Sequence, residues 1–264
     1  MPDASSPIES AAYRALAAGY DLVMEHVEYE DWAELVQSLL KRWGEDVETI
    51  LELGCGTGSL ALALQPLGDY RYAGTDRVEE MLKVAREKAD LEGAEIQFEQ
   101  ADFTDFAVDV PVDAVLLLFD GINYLLEPEP IVRVMDCVYA ALKPGGLFVF
   151  DLSTPANSIN NAAYFDDEGE EDEFSYRRRS SYDAATRLHH TTFNLVIEGE
   201  SYREEHVQRA WEIEAIRPLV EAAGFEVVAL LDGFESRPAT ADTERAHWVV
   251  RRPGSVDADR GERA

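Results

Sequence analysis

Three glycines at alternate positions, in the run Leu51-Glu52-Leu53-Gly54-Cys55-Gly56-Thr57-Gly58, constrain this chain more than any other feature. They follow an apolar strand over 47–53 and precede a helix-like run over 59–65. Glycine accepts a positive φ at little cost and has no Cβ to hold a ligand away. The amides that open the next helix face outward, where an anionic group is favoured. Strand, glycine turn and helix in this order predict a loop of the kind that holds a nucleotide-type cofactor.

Spacing narrows the choice of cofactor. A dinucleotide fingerprint reads G-x-G-x-x-G and would put its third glycine at position 59. Ser59 stands there, and the third glycine comes one residue early. The next strand, 70–76, ends in Asp76. A carboxylate at that point accepts both hydroxyls of a ribose and disfavours a 2′-phosphate. Asp76 can equally cap the amphipathic helix over 78–91, and one aspartate can do both. A third strand, 96–100, leads to Asp102 and Phe103. The fourth, 112–119, is almost wholly apolar, as a strand buried on both faces is. It ends in Phe119-Asp120-Gly121-Ile122-Asn123-Tyr124, and ligands of open α/β sheets sit outside such carboxyl ends. A helix over 130–142 then runs into Leu142-Lys143-Pro144-Gly145-Gly146 and a fifth strand.

The E-L-G-C-G-T-G loop and the L-K-P-G-G strand entry, with the order of elements between them, resemble the class I S-adenosylmethionine (SAM) dependent methyltransferases, over 13 to about 252. The resemblance implies an α/β fold: a Rossmann-like, doubly wound seven-stranded sheet. It implies SAM as cofactor and methyl transfer to N or O of a small molecule by in-line displacement. It places Glu52, Gly54, Cys55, Gly56, Gly58, Asp76, Arg77, Phe119 and Asp120 at the cofactor, with Asp102 and Phe103 on the adenine. Two other functions stay open: a non-catalytic SAM-binding module, and an NAD-dependent oxidoreductase, which needs a glycine at position 59, where this chain has Ser59.

Two segments flank this core. Upstream, Tyr13, Tyr20-Asp21, Met24 and Tyr29 precede an amphipathic helix with Trp32, Leu35, Val36, Leu39, Leu40 and Trp43 on one side. The spacing is similar to the N-terminal cover of glycine N-methyltransferase and aminosugar N-dimethyltransferases, where a Y-D segment closes over SAM. Tyr20 is the expected contact, since aromatic rings attract a sulfonium cation and exclude water. Downstream, 153–210 reads as an insertion: an acidic, mobile loop over 166–173, then three strand-like runs, 174–182, 187–198 and 200–213, forming an antiparallel roof. The expected organisation is a helical cover over 1–44, a SAM-binding core over 45–152, the β insertion over 153–210, a last helix and two strands over 211–252, and a disordered tail over 253–264.

Candidate catalytic groups are few. Tyr124 stands where the resembled enzymes carry a histidine, which removes the obvious imidazole base and leaves Asn123 and Tyr124 to orient substrate. On the roof, His206 and Gln208 share a face by period-2 alternation. His206 either meets substrate or serves a cross-strand role. His189 and His190 point to opposite faces and form no two-ligand metal site. Arg177-Arg178-Arg179 either binds an anionic substrate or pairs with the acidic loop.

Charge bounds the partners. The chain has 53 acidic residues against 23 basic ones, a net charge of −30, and its only lysines are Lys41, Lys83, Lys88 and Lys143. Such a surface repels nucleic acid and anionic lipid. It also repels itself until salt screens it, with a Debye length of about 3 Å near 1 M, which fits a salt-rich cytoplasm. Cys55 and Cys137 suggest no disulfide framework and no metal site. No membrane span or leader is expected.

Overall fold

A computed structural model describes residues 6–254 of the chain. The tail expected to be disordered lies, from residue 255 on, outside the described residues, as do the first five residues of the cover. A short strand, β1 (Ile8–Ser10), leads through a 3₁₀ turn into one turn of helix, α1 (Tyr20–Val23), and then α2 (Tyr29–Trp43). Next come β2 (Thr49–Leu53), α3 (Ser59–Gly68), β3 (Arg71–Asp76), α4 (Glu79–Glu92), β4 (Ile96–Gln100) and β5 (Val112–Leu117). A 3₁₀ turn over Gly121–Tyr124 precedes α5 (Pro128–Ala141), β6 (Leu142–Ser153) and α6 (Pro155–Asn160). The roof is β7 (Asp167–Glu171), β8 (Phe174–Asp183), β9 (Leu188–Ile197) and β10 (Glu200–Arg209). The chain ends in α7 (Ile213–Ala222), β11 (Glu226–Asp232) and β12 (Arg245–Arg251).

The main sheet has seven strands in the order β11-β12-β6-β5-β2-β3-β4. Its first five members in sequence are parallel; β12 runs antiparallel beside β6, and the edge strand β11, antiparallel to β12, points the same way as the first five. This is the Rossmann-like arrangement that the sequence predicts. Strand order reverses between β2 and β5, so the turns after those two strands diverge and open a crevice at their carboxyl ends. Alternation along the strands feeds two cores. Ile50 and Leu116 pack with Trp32, Leu60 and Leu82 on one face, while Leu51 and Val115 pack with Ile131 and Ile216 on the other. A third cluster, around Leu16, Val23, Phe193 and Leu195, fastens the N-terminal segment under the roof.

Three expectations change. The acidic run 166–173 is not a free loop: its residues Asp167–Glu171 form β7, an edge strand antiparallel to β8. That register sets the acids against the arginine cluster, with Arg177 on Glu168 at 2.9 Å, Arg178 on Asp167 at 2.8 Å and Arg179 on Asp166 at 3.7 Å. The arginines are thereby paired with the acidic run, the other of the two expected roles, and Arg178 also borders the cavity under the roof. The fourth core strand stops at Leu117, because Phe119 and Asp120 both take a φ of 58° and turn the chain out of the sheet. The first segment also contributes β1, which the sequence did not announce, pairing parallel to β10.

Candidate active site

Two cavities meet beneath the roof. The first, of about 360 Å³, lies over the carboxyl ends of β2 and β3. Gly54, Gly56 and Gly58 hold φ values of 64°, 54° and 76°, so the loop turns sharply before α3. A Cβ at Gly56 would meet nothing closer than the Tyr20 ring edge at 3.8 Å and would project into the cavity. The turn is therefore shaped to admit a ligand against bare backbone.

Most of the expected cofactor contacts line this cavity: Tyr20, Glu52, Gly54, Cys55, Gly56, Asp76, Arg77, Asp102, Phe103 and Phe119. Two do not. Gly58 caps the start of α3, and a Cβ there would lie 2.9 Å from Phe98 and 3.1 Å from Ala85, so it is a packing glycine. Asp120 faces the second cavity instead. The local alternation of Phe119 and Asp120, both left-handed, sends the ring to the border between cavities and the carboxylate beyond it.

The acidic groups of the first cavity are held in different states. Burial pushes Glu52 up to about 8, against the Tyr72 hydroxyl that donates to it at 2.9 Å. Burial also raises Asp76, although it accepts the Gly56 amide at 3.0 Å and the Val78 amide at 2.8 Å. At Asp102 burial acts upward too, but the Thr104 hydroxyl and amide bring the carboxyl below its ordinary value. Each oxygen of Asp76 keeps an open lone pair, so its bonds to the backbone leave it able to accept from ribose hydroxyls. These donors and acceptors, with the glycine cradle, fit SAM.

The N-terminal segment is latched over this cavity. Asp21 accepts the Thr57 hydroxyl at 2.6 Å and pairs with Lys88 at 2.7 Å, while Lys88 also reaches Ser59 at 2.6 Å. Tyr20, next in sequence, is thereby brought over the glycine turn.

The second cavity, of about 240 Å³, lies between the core and the roof. Tyr13, Tyr20, Phe119 and Tyr124 line both cavities and form the partition between them. Phe119 is backed by Trp32 and Tyr29, with ring centroids 4.4 and 5.4 Å away. At the inner wall Asp120 and the fully buried Asp151 share one guanidinium, that of Arg245. Burial pushes the Asp151 carboxyl up, and Arg245 only partly opposes it.

The structure treats the three candidate catalytic residues differently. Asn123 is buried and its carboxamide is consumed: Nδ2 donates to the Ser153 and Arg209 carbonyls, both at 2.7 Å, and Oδ1 accepts the Ser153 amide at 3.0 Å. With both donors taken, it staples the 3₁₀ turn to β6 and β10 rather than orienting substrate. Tyr124 and His206 are brought together, Tyr124 Oη lying 3.0 Å from His206 Nδ1. An imidazole thus returns from the roof to the place where the Tyr124 substitution had removed one. Tyr13 Oη lies 2.5 Å from Tyr124 Oη, and His206 Nε2 lies 3.2 Å from Glu204.

Sequence reasoning put Tyr13 in the N-terminal cover without a role in the second cavity, and missed Glu204 and Arg245. Glu204 had a signal, since it shares the His206 face of β10 by the same period-2 rule that picked out Gln208. Arg245 had none: its place beside Asp120 comes from the antiparallel pairing of β12 with β6.

Comparison with known proteins agrees with this geometry. A family model described as a methyltransferase domain matches residues 50–146. Proteins assigned as methyltransferases in Geobacillus sp. (strain WCH70) and Bacillus subtilis (strain 168) are 29% and 27% identical, over 91% and 92% of this chain and 99% and 98% of their own. A SAM-dependent methyltransferase structure from Clostridium acetobutylicum ATCC 824 superposes with a TM-score of 0.76 at 22% identity, over 91% of this chain and 98% of its own. A sugar N-methyltransferase from Streptoalloteichus sp ATCC 53650 gives 0.73 at 21%, over 96% and 99%. With the glycine cradle, the acidic ends of β3 and β4 and the strand order all in place, the chain carries a methyltransferase domain over residues 50–146 and resembles the class I SAM-dependent methyltransferases in sequence and fold.

Proposed function

We infer that the chain methylates an amine nitrogen of a small molecule held in the second cavity. The observation that carries this is the charge at the second cavity: of its two arginines, Arg178 is paired with Asp167, while Arg245 is shared by Asp120 on the wall and Asp151 buried behind it. Two carboxylates against one guanidinium favour a cationic guest, and the aromatic partition favours the same charge. The Streptoalloteichus enzyme of the same fold is itself a sugar N-methyltransferase.

SAM, when bound, supplies an electrophilic methyl group on a sulfonium sulfur. In this reading Asp76 accepts from the ribose, Asp102 and Phe103 hold the adenine, and Tyr20 and Phe119 wall the sulfonium from water. The chain's main contribution is alignment: fixing two reactants in line can supply on the order of 7–11 kcal/mol. Asp120 holds the acceptor as an ammonium, which must lose a proton before its lone pair can attack.

The test is turnover of the full chain with SAM and a panel of small amines, aminosugars among them, each matched to its hydroxyl analogue. Product mass and S-adenosylhomocysteine are measured in molar KCl. Amines should react and hydroxyl analogues should not, with Asp120→Asn raising the amine KM at least about tenfold, a loss of about 1.4 kcal/mol. Turnover of the hydroxyl analogues alone would refute the assignment.

A further inference from the structure

The geometry points to a directed proton path from the partition between the cavities into the roof: Tyr13 to Tyr124 to His206, with Glu204 as its buried anchor. The path rests on the amine assignment for its substrate, but its direction follows from the hydrogen bonds of the neutral imidazole. Glu204 is fully buried on β10 and accepts the Tyr13 amide at 2.7 Å, the Ala15 amide at 2.6 Å, the Leu16 amide at 3.1 Å and the Ser10 hydroxyl at 3.0 Å. So many donors hold it as a carboxylate, which can only accept. The nitrogen of His206 that faces it, Nε2 at 3.2 Å, must therefore carry hydrogen.

That choice of tautomer sets everything beyond it. With Nε2 protonated, Nδ1 of the neutral ring has a free lone pair, and the Tyr124 hydroxyl 3.0 Å away must donate to it. Tyr124 has then spent its one proton, so at 2.5 Å the Tyr13 hydroxyl must donate to Tyr124. The Tyr13 oxygen keeps its lone pairs free, and Tyr13 lines both cavities. It is the open end of the chain.

Deprotonation of the ammonium then balances as three transfers. The acceptor N–H bond breaks and a bond forms to Tyr13 Oη. The Tyr13 proton passes to Tyr124, and the Tyr124 proton passes to His206 Nδ1. The net change is one N–H bond lost from substrate and one formed on imidazole, whose positive charge sits beside Glu204. Groups facing His206 from other elements are Tyr13 and Tyr124, with the uncharged Phe193 and Thr191 on β9. No cation opposes the imidazolium among them. Tyr13 is the catalytic residue of this path, while Tyr124, His206 and Glu204 act through it.

Glu204 also ties Tyr13 in place. The Tyr13 backbone is held at a φ of 70°, a left-handed conformation that a tyrosine rarely adopts, and its amide is bound by Glu204. The same carboxylate thus positions both ends of the path.

The first readout needs no acceptor. Among the chain's five histidines, His206 is assigned by ¹⁵N-histidine labelling as the signal that His206→Gln removes, and its tautomer is read from one-bond and long-range ¹H–¹⁵N correlations. The Nε2–H form is expected, and the Nδ1–H form would overturn the path. The second readout uses an amine that turns over, with Tyr13→Phe and Tyr124→Phe, each of which removes one oxygen and leaves the fold intact. General base catalysis contributes about 10²–10⁴-fold, so kcat should fall by about that factor while the amine KM changes little. A Tyr13→Phe kcat within about twofold of the parent would overturn the path, as general base catalysis of that size cannot be lost unnoticed. If no amine turns over, the acceptor assignment falls and the tautomer still decides the path.

Discussion

Alanine at two neighbouring glycines of one turn should separate cofactor binding from folding. At Gly58 the φ of 76° costs an L-residue about 1–2 kcal/mol. The added methyl would also lie 2.9 Å from the buried Phe98 ring and 3.1 Å from Ala85 on α4. Forcing a methyl into a packed core adds about 1–3 kcal/mol. Together these give roughly 2–5 kcal/mol, and at about 2–4 °C per kcal/mol the melting point falls on the order of 10 °C. At Gly56 the φ of 54° carries the same backbone cost, but the nearest neighbour is Tyr20 at 3.8 Å. Gly56→Ala should therefore lose only about 1–2 kcal/mol of stability, while its methyl occupies the first cavity. SAM affinity should drop by at least about tenfold, or about 1.4 kcal/mol. Thermal unfolding followed by circular dichroism and calorimetric SAM titration, run well below both midpoints, measure the two effects. Parental SAM affinity in Gly56→Ala would show that the cofactor lies elsewhere. A Gly58→Ala chain as stable as Gly56→Ala would refute the packing argument.

Four further outcomes are expected. Asp21→Asn breaks the latch to Thr57 and Lys88; because the pair is partly exposed, stability should change by less than about 1 kcal/mol, while stopped-flow shows faster SAM release, and an unchanged off-rate would deny the latch its role. Burial holds Glu52 up at about 8, so the protonated form is favoured in the fold; stability of the free protein should fall as pH rises from the ordinary carboxylate range, about 4.3, through 8, and Glu52→Gln should flatten that slope in urea titrations. Arg245→Met leaves Asp120 and Asp151 without their cation and should cost about 3–5 kcal/mol at pH 8; burial already raises Asp151, so protonation relieves the loss at pH 5, and a penalty that grew towards acid would reverse the sign argued here. With a net charge of −30, the melting point should climb as KCl goes from dilute to molar, and a level or falling midpoint would exclude a salt-adapted surface.

The first cavity was legible in the sequence because its residues are local to strand ends. Gly54, Gly56, Asp76 and Asp102 each follow directly from a βα turn, so knowing the fold locates them. Asn123 misled for a different reason: it does line the second cavity, but only the partners of its amide, from β6 and β10, show that it has no donor to spare. Asp120 misled by one residue, since two successive left-handed φ values are not a pattern that a phenylalanine-aspartate pair announces. The acidic run 166–173 read as a solvated loop because a row of like charges carries no strand pattern, and the register of β7 on β8 supplied both the strand and the arginine partners.

By itself the sequence determined the sheet, its order of elements and the cofactor loop, because glycine spacing and apolar periodicity act over a few residues. Tertiary structure alone decided the second cavity. Tyr13, Tyr124, Glu204 and His206 come from the N-terminal segment, the turn after β5 and the roof strand β10, and Arg245 from the last strand. Hydrogen-bond direction and charge balance there depend on contacts between residues far apart in the chain, and no local pattern encodes which of them will meet.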